Sequence, residues 1–179
     1  MRIFRKKNKP FLTIKKKSVK PDNFLIKTLP KIDYAEALVG KYNPNKNYPI
    51  EIIADLFFNA SPLWARHLLN IRNSLVGWLG LKTRAIPISK KVDVTLIVGE
   101  RIGLFRLFEI NLTELIFGED DKHLDVRMIL KKSDNELAII TLLKFHNIWG
   151  RFYFKTIRIF HQKIIKSQLK QVIKKLNSL

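Results

Sequence analysis

The densest run of side chains able to do chemistry is Glu119-Asp120-Asp121-Lys122-His123-Leu124-Asp125-Val126-Arg127. In an extended strand alternate residues share a face, so His123, Asp125 and Arg127 fall on one side and Leu124, Val126 and Met128 on the other. A carboxylate beside an imidazole orients it, so His123 with Asp125 has the makings of an acid/base pair or a polar anchor. The same alternation describes the wet face of an ordinary half-buried strand, and that reading stands first. His146 would be a third ligand for a metal, but these residues lack any fixed ligand spacing. No metal ligands, catalytic residues or cofactor are therefore assigned.

A second polar group is His146-Asn147 with Gly150-Arg151, at a strand end followed by a helix start. Free backbone donors there would hold an anion with help from Arg151. Alternatively Asn147 caps the helix, and Arg151 pairs with a carboxylate of the Glu119–Asp121 turn; capping is the preferred reading. Further along, the helical register set by Ile165 and Leu169 brings Arg151 and Arg158 near one face, with His161 beside them. An arginine facing the sheet would need a carboxylate such as Glu109 or Asp125, or an acidic ligand. A bent or later-starting helix would instead leave Arg158 in solvent. Trp64, Trp78, Trp149 and phenylalanines such as Phe108 read first as core, and as cavity lining if the fold encloses one.

The elements that position these groups follow from periodicity. Phe24-Leu25-Ile26 with Leu29-Pro30 suggests a first strand, at an edge because of the proline. Helical spacing from Tyr48 through Ile53, Phe57 and Phe58 is broken at Asn59–Pro62. It resumes with Ser61 as cap, then Leu68, Ile71, Leu75 and Leu79 before Gly80. Strands are expected at Val92–Val98, Leu104–Ile110, Thr113–Phe117, Leu124–Leu130 and Leu137–Phe145, with short gaps that favour antiparallel pairing. From Gly150 to about Leu176 a helix carries Ile165, Leu169, Val172 and Leu176 on one face and Lys163, Lys166, Lys170 and Lys174 on the other. The expectation is an α+β fold. About six or seven antiparallel strands curve around a long C-terminal helix, with two short helices after the first strand.

The 179 residues carry a net charge of +19, concentrated at the ends: nine Lys/Arg and no acid in residues 1–20, eight and no acid in 151–179. Residues 1–21 read as a basic, poorly ordered arm and 22–179 as one domain. The arm is suited to an anionic membrane surface more than to nucleic acid, since it offers few aromatics to stack bases, although solubility alone explains its charge. There is no cysteine, so disulfide and thiolate chemistry are excluded. No apolar run approaches the ~18 residues of a membrane span, and a cytoplasmic location is expected. Phosphate-binding glycine loops, GxSxG and HExxH are absent. Oligomeric state is not legible.

Several stretches together resemble the bacterial family called domain of unknown function two-eight-six-seven, within the helix-grip folds of the START/SRPBCC superfamily. They are Asp33-Tyr34; Pro62-x-Trp64 with Leu68-Leu69, Arg72 and Gly80-Leu81-Lys82; Gly118–Asp121 with His123-Leu124-Asp125-x-Arg127; Thr141, His146-Asn147 and Gly150-Arg151-x-Tyr153; and Phe160-His161. At Arg158-Ile159 the chain departs from the family pattern, where a proline is expected before Phe160-His161. The resemblance implies the fold and an apolar cavity but no activity. The pocket candidates are Trp64, Arg72, Phe108, Glu109, His123, Asp125, Arg127, His146, Asn147, Arg151, Arg158 and His161. The expected function is uptake of a hydrophobic or amphipathic small molecule. The alternatives are an enzyme doing proton transfer in the same pocket, with His123 or His146 as base, and a basic surface adaptor with no ligand.

Overall fold

A computed structural model describes residues 13–19, 28–43, 47–60, 92 and 94–179. The elements are β1 (Ile14–Lys17), β2 (Tyr34–Lys41), α1 (Ile50–Asn59), β3 (Arg101–Ile102), β4 (Phe105–Ile110), β5 (Glu114–Asp120), β6 (Leu124–Lys132), β7 (Glu136–Phe145) and α2 (Ile148–Ser178). The strands form one antiparallel, curved, seven-stranded sheet in the order β1-β2-β7-β6-β5-β4-β3, and α2 lies in its grip. The α+β helix-grip architecture expected from the sequence is thus the one observed.

Turn chemistry explains the meander from β4 to β7. Asn111 Oδ1 accepts the backbone N–H groups of Thr113 and Glu114, closing the β4–β5 turn. At the β6–β7 turn the Ser133 N–H donates to the Glu136 carbonyl at 2.9 Å. Register then sorts the faces. Leu130 opposite Ile139, and Met128 opposite Thr141, look toward the helix; Ile129 opposite Ile140, and Arg127 opposite Leu142, look away.

Both faces are covered. On the helix side Leu38, Leu107, Leu115, Phe117, Leu130 and Ile139 pack with Ile165, Leu169, Val172 and Leu176 of α2, and with Phe57 and Phe58 of α1. The aromatic centre is tight, Phe58 meeting Phe117 edge-on at 4.9 Å between centroids. Gly40 lets α2 come close to β2, since a Cβ there would stand 2.3 Å from Ile173 Cδ1. On the other face Leu29 is 1% exposed against Ile116, Ile129 and Leu142.

Three expectations change. The strand leading into the helices is Tyr34–Lys41; Leu29 packs under the sheet without joining it, Pro30 is exposed, and residues 24–26 lie outside those described. Val92 and residues 94–98 form no strand. The Asn59 side chain takes up the backbone N–H and C=O of Val92 at 2.9 and 3.2 Å, and residues 97–100 turn instead. Within the basic N-terminal stretch, Ile14–Lys17 pairs with β2 as an edge strand. The second short helix, expected after Ser61, falls outside the described residues.

Helix α2 begins two residues before Gly150 and carries the expected division: Ile165, Leu169, Val172 and Leu176 buried, Lys163, Lys166, Lys170 and Lys174 exposed. Leu169→Ala is expected to cost about 3 kcal/mol of stability. Urea unfolding should register this as a lower midpoint at unchanged m-value.

Candidate functional site

The corner where β6 and β7 meet the start of α2 is built by local chemistry. Asn147 caps α2, its Oδ1 accepting the Gly150 N–H at 3.1 Å, and its side chain also contacts His123 Nδ1. The His146 N–H donates to the His123 carbonyl at 2.9 Å. A Cβ on Gly150 would sit 2.1 Å from that same carbonyl oxygen, so only glycine lets the first turn of α2 rest on the 121–124 turn. His123 and Asn147 therefore act as a capping unit, the preferred reading of the second polar group. Asp125 does not orient His123. It reaches across the ladder to His146, Oδ1 to Nε2 at 2.9 Å.

Arg151 does not pair with the Glu119–Asp121 turn. Its Nη2 lies 3.3 Å from Asp33 Oδ1, and its guanidinium stands over the Phe145 ring. Asp33 accepts the Phe145 backbone N–H at 2.8 Å, and that bond, with Lys31 and Arg151 nearby, holds its carboxyl below the usual range against the opposing effect of burial. The clamp ties the start of β2, the end of β7 and the start of α2 together.

Arg127 is buried, but on the face turned away from α2. It donates to Asp120 at 2.6 Å, and its guanidinium lies 3.7 Å above the Phe108 ring. By register Asp125 and Glu109 face the same way. Phe108, Glu109, Asp125 and Arg127, named as pocket candidates, accordingly do not line the space between sheet and helix; for Asp125 and Arg127 the outward polar face, the reading placed first, is the one observed. Arg158 is exposed, with its guanidinium 5.3 Å from the Tyr34 ring centroid, and so needs no buried carboxylate. Trp64 and Arg72 lie outside the described residues.

His161 alone among the described candidates projects into the helix–sheet interface, and it meets polar residues there. Its Nε2 is hydrogen-bonded to Thr141 Oγ1 at 3.2 Å. Across from it on β2, Glu36 is 3% exposed; it accepts from Gln162 Nε2 and forms an ion pair with Lys16 of β1. Tyr34 sits one alternate position before Glu36, its hydroxyl near Gln162 and its ring packed edge-on to Phe154 at 4.7 Å. Phe154 in turn reaches His161 and Phe145. Register explains the grouping, because Glu36 stands opposite Thr141 and Tyr34 opposite Leu143 on the helix-facing rows.

Burial pushes the His161 imidazole below its ordinary range, partly opposed by the Glu36 carboxylate, and pushes the Tyr34 phenol up. At neutral pH His161 is thus an uncharged donor–acceptor, while Glu36 is an acceptor placed among donors. Tyr34 and Thr141 belong to the stretches that carried the family resemblance. Glu36 and Gln162 were missed, and the signal was a lone carboxylate between Tyr34 and Leu38 in alternating register. Among the described residues, no three His, Asp or Glu side chains come together as a metal site would require. No described helix is long and apolar enough to cross a membrane. A solvent-open depression lined by Asn47, Pro49, Ile50, Leu112 and Lys132 lies elsewhere, where β5 begins and β6 ends.

Fold and site together define an α+β domain with a curved sheet around one long helix and a polar cluster set into an apolar interface. The chain belongs to the family described as protein of unknown function DUF2867, whose model matches residues 28–168. No curated protein and no solved structure matches it.

Two outcomes follow. Because His161 has its pKa lowered by folding, the unfolded chain binds its proton first. The His161 contribution to stability is fully present above pH ~6.5 and is lost as pH falls below that value. His161→Gln should lessen the loss of melting temperature between pH 7.5 and 5.5, read by circular dichroism. Gly150→Ala should cost more than about 2 kcal/mol, by driving α2 off the 121–124 turn, with a matching fall in urea midpoint.

Proposed function

We propose that this domain is a small-molecule binding module of the START/SRPBCC superfamily, working in the cytoplasm. Its ligand is amphipathic and lodges between the first half of α2 and strands β2 and β7. The observation that carries the reading is the cluster of buried Glu36 and Thr141 with half-buried His161 and Gln162, set within a largely apolar helix–sheet interface. Burying a carboxylate and an imidazole there costs stability that aliphatic side chains would not. Convergent polar groups on an apolar lining are what orient a ligand's polar end.

The chemistry of the cluster narrows the ligand. Glu36 accepts from a glutamine amide, the Tyr34 hydroxyl and the ammonium of Lys16, whose side chain is half exposed at the sheet edge. A ligand hydroxyl or amine would replace Lys16 with little rearrangement, while Tyr34 and Phe154 flank its apolar part. The proton-transfer alternative in this pocket gains nothing from His123, held by Asn147, or from His146, whose Asp125 partner stands on the face of the sheet turned away from α2.

Native mass spectrometry of the full-length protein, purified without detergent, is expected to show a reproducible adduct in the lipid or sterol mass range. Glu36→Gln should lower the adduct fraction roughly tenfold while moving the melting temperature by less than about 4 °C. A clean apo mass for the wild type would remove the ligand reading.

A further inference from the structure

Helix α2 changes character halfway along its outward face. At 100° per residue, Ile148, Phe152 and Ile159 fall on one line, with Trp149 and Phe160 on its flank. This line lies opposite Phe154, His161, Ile165 and Val172, which face the protein. All five outward side chains are exposed, Ile148 by 69% and Phe152 by 66%. Lys163, Lys166, Lys170 and Lys174 continue the same line toward the C-terminus and are also exposed. Lys155 falls on the same line between Phe152 and Ile159, and Glu136 is the last acidic residue in the chain.

An ordinary solvated helix face does not present two isoleucines, two phenylalanines and a tryptophan between residues 148 and 160. We propose that the outward face of α2 is a docking surface for an anionic lipid bilayer. Residues 148–160 would lie in the headgroup boundary and the lysines of 163–174 on the charged surface beside it. Aromatic and branched apolar side chains followed by an acid-free lysine row are complementary to such a boundary in both polarity and charge. A nucleic acid would use the lysines but offers nothing to Ile148, Phe152 and Ile159. The face is separate from the Glu36–His161 cluster, so the inference does not depend on the ligand reading.

The test is co-sedimentation of the full-length protein with phosphatidylcholine vesicles containing about one third phosphatidylserine, against pure phosphatidylcholine. Binding to the anionic vesicles is expected, weakened by about 0.5 M salt. F152S/I159S and K163Q/K166Q/K170Q should each reduce it roughly tenfold or more. Both variants should melt within about 2 °C of the wild type, since the replaced side chains are exposed. Absence of binding by the wild type overturns the proposal. Undiminished binding by F152S/I159S does too, and loss on deleting residues 1–12 would then assign the contact to the N-terminal basic stretch. A marked fall in melting temperature for F152S/I159S also overturns it, because the face would then be packed within the domain.

Discussion

The packing of the second half of α2 against the helix-facing rows of the sheet is the contact on which the remaining structure depends. Ile165, Leu169, Val172, Ile173 and Leu176 share one apolar cluster with side chains from β1, β2, β4, β5, β6 and β7, and with α1. Without this stripe the sheet would expose a continuous apolar surface, and α1 would lose its footing between Phe117 and Gln168. The close passage at Gly40 fixes how near the helix comes, and the Asn147 cap with Gly150 fixes where it starts. The two ends of the helix are thus positioned by different means, one by apolar filling and one by hydrogen bonds.

The first half of the helix is less deeply held, and there the polar cluster sits. Phe154 and His161 remain on the protein side, joined by Tyr34, Glu36, Thr141 and Gln162, while side chains such as Phe152 and Ile159 turn outward. Mixed polar and aromatic contacts at one end, beside aliphatic packing at the other, make the helix–sheet seam uneven along its length. That unevenness separates a supporting region from one able to meet other molecules.

The C-terminal helix was readable because its period is local. Ile165, Leu169, Val172 and Leu176 repeat at helical spacing against lysines on the other side, and tertiary contacts only confirm the pattern. β6 and β7 were readable for the same reason. β2 was not, since Glu36 and Gly40 interrupt the apolar alternation on its helix side, and both make sense only beside Gln162 and Ile173. Val92–Val98 has strand composition but lacks a pairing partner among the described residues. At the site, the facing of His161 follows from the register of Ile165. The grouping of Glu36 with Thr141, and of Asp125 with His146, depends on strand pairing over long sequence separations that no local pattern encodes.

The two rims of the sheet are unlike any interior strand. On one side the terminal strand offers three consecutive lysines, Lys15 to Lys17; on the other it is only the pair Arg101-Ile102. A neighbouring molecule seeking to extend the ladder would meet clustered positive charge at the first rim and almost no backbone at the second. Among the described residues, both rims therefore carry the features that disfavour strand addition by a second chain.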